Sequence, residues 1–223
     1  MRKYVAIDKY KINKKRGRNK KWEIIYMWDL STILYTIKIT QFVGLVHYPV
    51  YNKNNAVVAT SVTNFDIHDI SRTCRTYDIK KYFIITPVDA QKELTGRIIG
   101  YWTEGNGIEF NKNRNEAFEN TELEDSVQSA IETIEKIEGK KPKIITTSAK
   151  IFPNTVGYAD LGKEIIEDDT PYLILFGTGW GLTNEIMDLS YKILEPIRGK
   201  TQYNHLCVRS AVSIVLDRLL GEN

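Results

Sequence analysis

From residue 42 onward the chain alternates short, unbroken apolar runs with longer stretches of helical period. Phe42-Val-Gly-Leu-Val-His47 reads as a buried strand and Tyr82-Phe-Ile-Ile-Thr86 as a second; further strands are predicted at 143–147, 172–176 and 191–194. Runs that are apolar at successive positions, rather than at alternate ones, suit strands covered on both faces. Between them, Thr63-Asn-Phe-Asp66 predicts a capping box in which Asp66 reaches back to the cap. The helix that follows places Ile67, Ile70, Cys74 and Tyr77 on one face. A second helix is predicted over 89–102, with Leu94, Ile98 and Trp102 inward. A third runs over 125–138, with Val127, Ile131, Ile134 and Ile137 on one face and Gly139 as its stop. Residues 104–114 read as a polar, Gly/Asn-rich loop. A closing helix over 206–220 is apolar nearly all round until Asp217, and a helix of that kind must be buried. The order predicts an α/β domain, a mainly parallel sheet flanked by helices.

Length and charge divide the chain. Its 223 residues fit one domain of ordinary size plus an appendage. Residues 1–21 hold ten Lys/Arg against Asp8 alone, which leaves 21 basic and 27 acidic side chains on the other 202 residues. A basic arm on an acidic body is an electrostatic footprint for nucleic acid, with a solvated tail as the other reading. The expected organisation is a basic N-terminal extension at 1–41, disordered or not, and a domain at 42–223. Glu23 and Asp29 interrupt the apolar stretch after the basic arm, so no leader is expected, and no run of 18 apolar residues predicts a membrane span. Cys74 and Cys207 stand far apart, without CxxC or His/Cys ligand spacing, so neither a disulfide framework nor a metal site is expected. The cytoplasm is the expected compartment.

The candidate chemistry lies in three segments of the last third: Phe176-Gly-Thr-Gly-Trp-Gly-Leu182, Ile193-Leu-Glu-Pro-Ile-Arg-Gly199 and Tyr203-Asn-His-Leu-Cys-Val-Arg-Ser210. The first two follow predicted strands and the third opens the closing helix. Alternate glycines suit a backbone that must take positive φ or approach a ligand closely; a plain turn is the other reading of that loop taken alone. A dinucleotide fingerprint would read GxGxxG after the first strand of the fold, and no GxxxxGK[ST] phosphate loop occurs.

In order and spacing the three segments resemble the cofactor-binding end of the SPOUT superfamily, the trefoil-knotted RNA methyltransferases that use S-adenosylmethionine. The likeness covers 42–221 and is greatest to a small stand-alone group related to the C-terminal-like relatives of tRNA (guanine-N1)-methyltransferase. It implies a C-terminal trefoil knot, which periodicity alone would never suggest. It also implies a cofactor held by Thr147, Ser148 and Ala149, by Gly177, Thr178, Gly179, Trp180, Gly181 and Leu182, by Ile193, Leu194, Pro196, Ile197 and Gly199, and by His205 and Leu206. A homodimer through the closing helix and the 64–79 helix is implied as well.

Segment 64–79 resembles the first motif of the ribose 2′-O-methylating branch, in which an Asn opens a helix and an Arg-Thr pair follows six residues later. Arg72-Thr73 matches the pair, but Asp66 stands where the Asn would be, and Gly177-Thr-Gly-Trp lacks the Glu of the branch's second motif. Methyl transfer from a sulfonium needs positioning and a nucleophile freed of its proton, and no metal. Arg72 stays protonated, so it suits a phosphate or ribose contact rather than a base. Asp66 and His68 (four residues before Arg72) are the other catalytic candidates. Arg75, Arg114, Lys14, Arg16 and Arg18 are candidates for RNA contact. The implied function is methylation of RNA, tRNA foremost, at a ribose 2′-hydroxyl rather than a base nitrogen. The alternative is a catalytically silent module that binds the cofactor or RNA.

Overall fold

The computed structural model describes residues 40–221. Seven parallel strands form one sheet: β1 (Gln41–Val46), β4 (Lys81–Ile85), β5 (Thr121–Glu124), β6 (Lys143–Thr147), β7 (Thr155–Val156), β8 (Tyr172–Gly177) and β9 (Lys192–Leu194), in the order β5-β4-β1-β8-β6-β9-β7. A two-stranded antiparallel hairpin, β2 (Val50–Tyr51) and β3 (Val57–Val58), leaves the end of β1. The chain passes outward through β4 and β5, crosses to β6 and β7, and only then inserts β8 between β1 and β6 and β9 between β6 and β7.

Successive side chains of a strand point to opposite faces, and the two cores divide accordingly. Val43, Leu45, Tyr82, Ile84, Ile145, Ile174 and Phe176 face one core. Its helical contributors are α1 (Asn64–Thr76), α4 (Lys112–Phe118), α6 (Tyr158–Glu167) and α8 (Val208–Leu220). Phe42, Val46, Phe83, Ile85, Ile144, Leu173 and Leu175 face the other, with α5 (Val127–Glu138) and α7 (Asn184–Met187). The sequence expectation of strands buried on both faces holds because both faces carry helices.

Several local expectations shift. Thr63 caps α1 by accepting from the Asp66 amide, but the Asp66 carboxylate takes the Thr63 hydroxyl hydrogen (2.6 Å) rather than the cap's backbone N–H. In α2 (Asp89–Thr103) Leu94 is exposed and Thr95 is buried, one position from the predicted stripe. Residues 104–114 are not a loop: α3 (Gly107–Phe110) and α4 (Lys112–Phe118) occupy them, the latter capped by Asn111. Gly139 ends α5 in the left-handed conformation as predicted, after a Ser126–Ser129 capping box. Val212, Val215, Leu216 and Leu219 of α8 are buried in the chain's own core, against α1 and α6. Among the described residues no helix is long and apolar enough to cross a membrane.

Candidate active site

A cleft of about 1210 Å³ opens at the carboxyl ends of β6, β8 and β9. In an open parallel sheet that edge is where loops converge and ligands bind. Here four stretches supply its walls: Thr147, Ser148, Ala149 and Lys150 after β6; Gly177, Thr178, Gly179, Trp180, Gly181 and Leu182 at the end of β8; Leu194, Glu195 and Ile197 at the end of β9; and His205, Leu206, Cys207 and Val208 at the mouth of α8. The three sequence segments therefore meet in one place. Ile193 and Pro196 are buried behind this lining and Gly199 is exposed outside it, so those three do not face the cleft.

The glycine loop owes its shape to local backbone and to a partner the sequence did not reveal. Gly179 and Gly181 take φ of 59° and 103°. Trp180 N–H donates to Tyr51 O and Tyr51 N–H to Gly181 O, both at 2.9 Å, so the β2–β3 hairpin is stitched to the loop. A Cβ on Gly179 would stand 2.9 Å from the Tyr51 carbonyl, and one on Gly177 2.7 Å from the Leu182 nitrogen. Tyr51 and Asn55 of the hairpin join the cleft wall. The missed signal was the Asn-rich turn between two pairs of strand-forming residues, Val50-Tyr51 and Val57-Val58.

Beneath the loop lies a chain of polar contacts. The Thr178 hydroxyl donates to Val46 O (3.0 Å), Thr60 Oγ1 lies 2.5 Å from Thr178 Oγ1, and His47 Nδ1 lies 3.1 Å from Thr60 Oγ1. One proton placement makes all three contacts hydrogen bonds: Nδ1–H to Thr60, Thr60 to Thr178, Thr178 to the carbonyl. His47 is then neutral, with a bare Nε2 that has no partner. Burial pulls its pKa down to about 4, against an opposing pull from Asp66. Tyr158 also lines the cleft, and its hydroxyl is buried without a hydrogen bond. It was missed because no polar cap announces α6.

The catalytic candidates separate. Asp66 lines the cleft; Oδ2 takes the Thr63 hydroxyl hydrogen, while Oδ1 makes no hydrogen bond among the described residues and has Arg209 Nε at 3.8 Å. Arg72 is exposed on α1. His68 does not line the cleft, although it shares Arg72's side of the helix. Its ring packs edge-on against Phe118 and Trp102 (centroids 4.8 and 5.7 Å), with Arg114 Nη1 3.2 Å from Nδ1. Burial and then the Arg114 charge lower its pKa.

The RNA candidates are also committed elsewhere. Arg75 is held by Glu116 and Asp78, and Arg114 lies over the Trp102 ring at 5.1 Å. Lys14, Arg16 and Arg18 lie outside the described residues. By contrast, Lys53, Lys150, Arg198 and Lys200 form no ion pair among the described residues. Lys150 lines the cleft, Lys53 and Arg198 stand within two residues of lining residues, and Lys200 lies between Ile197 and Asn204, both of which line it.

The site fits an adenosyl ligand on its own terms. Its floor is apolar (Phe176, Leu194, Val208, Ala211, Val215) and its walls are backbone and small polar groups, with the Tyr158 hydroxyl unsatisfied beside them. Among the described residues no group of three or more His, Cys, Asp and Glu side chains stands where it could hold a metal ion.

Comparison with known proteins agrees with this geometry. A family model described as SAM-dependent RNA methyltransferase matches residues 40–221. An uncharacterized protein of Aquifex aeolicus (strain VF5) is 41% identical over 201 residues, 90% of this chain and 97% of that one. A tRNA (guanine-N(1)-)-methyltransferase of Oleidesulfovibrio alaskensis is 40% identical over 184 residues, which is 81% of this chain but only 42% of that protein's length. Among solved structures, the SpoU methyltransferase AviRb from Streptomyces viridochromogenes, in complex with AdoMet, superposes with a TM-score of 0.52 at 14% identity, covering 86% of this chain and 60% of that one. The A. aeolicus TrmH/SpoU tRNA modifying enzyme gives a TM-score of 0.50 at 17% identity, covering 82% and 75%. At such identities the solved structures speak to fold, and the family match speaks to chemistry.

Proposed function

The chain belongs to the SAM-dependent RNA methyltransferases of SPOUT fold, and from that premise we propose that it methylates tRNA at a ribose 2′-hydroxyl, with Asp66 as the proton acceptor. The observation that carries this reading is the place of Asp66: a carboxylate oxygen without a hydrogen bond among the described residues, in the same cleft as the loops at 147–150, 177–182, 194–197 and 205–208. When bound, the cofactor supplies an electrophilic methyl group on sulfur. The loops at 147–150, 177–182, 194–197 and 205–208 hold it and exclude water from that end of the cleft. Asp66 Oδ1 would take the hydroxyl proton, leaving the ribose oxygen free to act as the nucleophile toward that methyl group. Arg72 grips a neighbouring phosphate. Lys53, Lys150, Arg198 and Lys200 ring the mouth and hold the backbone without reading its sequence, which is how phosphate contacts work. The basic residues among 2–21, outside the described residues, are further candidates for phosphate contact.

Two assembly features belong to the same proposal. The late insertion of β8 and β9 between earlier strands is the order a threaded C-terminal end requires, which supports the trefoil knot. A homodimer through α1 and α8 would cover Phe65 and Leu206, large apolar side chains left exposed there.

The acceptor has a second reading. The name of the Oleidesulfovibrio relative favours guanine N1, but this chain spans less than half of that protein. Arg72-Thr73 favours the ribose. Incubating the full chain with unfractionated tRNA and methyl-labelled cofactor, then digesting in alkali, decides between them. A label in alkali-resistant dinucleotides supports the ribose, and a label in single nucleotides moves the acceptor to a base. No label in tRNA, with label in another RNA, overturns the substrate.

A further inference from the structure

We infer that Arg209 is the residue that positions Asp66 for proton removal, so that the first turn of α8 sets the acceptor side of the site as well as the cofactor side. The inference rests on the reading of Asp66 as proton acceptor.

Three observations carry it. First, α1 and α8 run side by side in the same direction and in register. Asp69 meets Arg209 at 3.4 Å, Thr73 meets Ser213 at 3.2 Å and Tyr77 meets Asp217 at 2.8 Å, each pair 140 residues apart. Both helix starts therefore border the cleft, and Arg209 is the rung of this seam nearest to it. Second, Arg209 breaks a local rule. A cation in the first turn opposes the helix dipole, and the Cys207 side chain caps no backbone N–H to offset it. Local inconsistency of that kind collects at functional sites. Third, the guanidinium is shared: Nη1 faces Asp69 at 3.4 Å while Nε faces Asp66 Oδ1 at 3.8 Å, and the Phe65 ring lies 5.2 Å beneath it. A planar fork addresses two carboxylates from fixed directions, whereas an ammonium meets them as a point charge on a flexible stem.

The arrangement gives Arg209 a role that packing alone does not require. Thr73–Ser213 and Tyr77–Asp217 already join the two helices further along. At Asp66 the fork fixes the oxygen that the Thr63 hydroxyl leaves free, and so fixes the direction from which a substrate proton is accepted.

The test uses the full chain, labelled cofactor and unfractionated tRNA, with R209Q, R209K, D66N and the R209Q/D66N double variant. Melting temperature and cofactor affinity are measured beside turnover. R209Q is expected to lose on the order of 10²-fold in kcat, as a misplaced catalytic group does, with cofactor affinity and the KM for tRNA little changed. R209K should recover part of that loss. The double variant should turn over no more slowly than D66N, because Arg209 acts only through Asp66. Losses that multiply in the double variant, or a loss confined to cofactor affinity, overturn the inference. If D66N retains full turnover, the reading of Asp66 falls and takes the inference with it. If D66N is inactive and R209Q is not, the inference alone falls. Should R209Q fail to fold, R209K decides: it keeps the charge, and unchanged kcat in R209K then overturns the role of the fork.

Discussion

The two ends of the parallel sheet are built on opposite principles. At the amino end, Lys143 at the start of β6 donates to Glu164 (2.9 Å) and Asp168 (2.6 Å), and Lys192 at the start of β9 donates to the other Glu164 oxygen. The Tyr172 hydroxyl, at the start of β8, lies 3.0 Å from both carboxylates. Three neighbouring strands are thus tied to α6 by one satisfied network. At the carboxyl end, His47 Nε2, Tyr158 Oη and Thr183 Oγ1 are the buried side-chain polar atoms left without a partner among the described residues. Tyr158 lines the cleft, Thr183 lies between two residues that do, and His47 ends β1 under the glycine loop. Buried polar groups are nearly always paired, so a cluster of exceptions at one end marks where stability yields to binding. The satisfied end holds the strands in place so that the other end can remain incomplete.

The largest effect that would break this comparison is expected at Gly179. Gly179→Val adds a Cβ 2.9 Å from the Tyr51 carbonyl at a backbone φ of 59°, so the loop must leave either the hairpin or its own fold. Strain of this kind costs about 1–3 kcal/mol before the clash is added, so cofactor affinity should fall by at least about 10²-fold in calorimetry. Unchanged affinity would mean that the glycine loop does not shape the cofactor site.

At the amino end, Lys143→Met leaves Glu164 to Lys192 and Tyr172, and Asp168 to Tyr172 and the Thr170 amide. All three ionic groups are about three-quarters buried. Breaking such a pair should cost about 3 kcal/mol of unfolding free energy, at the lower edge of fully buried pairs because solvent screens the remainder. Urea titration measures it, and cofactor affinity of the folded variant should not move. A loss of affinity without loss of stability would dissolve the division between the ends.

How much of this the sequence showed follows the same line. β1, β4, β6 and β8 were legible because they are unbroken apolar runs, and α1 and α5 because Thr63 and Gly139 punctuate them. β5 was not: Thr121-Glu-Leu-Glu is an edge strand whose alternation is too short to stand out. α6 begins after Gly157 with no capping side chain, and α3 and α4 hide in a segment whose glycines and asparagines imitate a loop. The convergence of the 147–150, 177–182 and 205–208 segments on one cleft was legible because backbone-built loops need glycine in fixed places. The surroundings of the Asp66 candidate were not. Asp66 and Arg209 meet only when two helices far apart in the chain lie in register, and His68 looked available because helical spacing cannot tell that Trp102 and Phe118 enclose it.

Acid should weaken the carboxyl end first. His47 is held neutral in the fold, with a pKa near 4 against about 6.5 when unfolded. A depressed base binds more protons unfolded than folded, so its cost appears as pH falls below about 6.5 and is complete near 4. Between pH 7.5 and 5 this should remove about 2 kcal/mol of stability, and His68, shifted the same way, adds to it. The amino end responds later. Burial raises the Glu164 pKa, but hydrogen bonds from Lys192 and Lys143 outweigh it and bring it to about 2. The Lys143 bond likewise holds Asp168 well below the carboxylate range. These depressed acids give stability that is intact above their unfolded values near 4 and lost as pH falls through the folded ones. Unfolding free energy of His47→Gln should therefore be flatter between pH 7.5 and 5 than that of the parent, while both fall together below pH 4. Parallel slopes in the upper window would show that His47 takes up its proton in the folded protein as it does in the unfolded chain.

The smallest effect separates backbone strain from contact. Gly139 and Gly179 both take positive φ, 70° and 59°. A Cβ at Gly139 would meet nothing within 4 Å, whereas at Gly179 it meets the Tyr51 carbonyl. Gly139→Ala therefore pays for conformation alone, about 1 kcal/mol at a left-handed helix end, and should lower the melting temperature by a few degrees. Because Gly139 closes α5 four residues before β6, at the amino end, cofactor affinity should stay as it was. If Gly139→Ala reduces affinity as Gly179→Val does, strain is being transmitted along β6 into the cleft, and the two ends are one cooperative unit. If affinity is unchanged, the loss in Gly179→Val belongs to the hairpin contact at the carboxyl end.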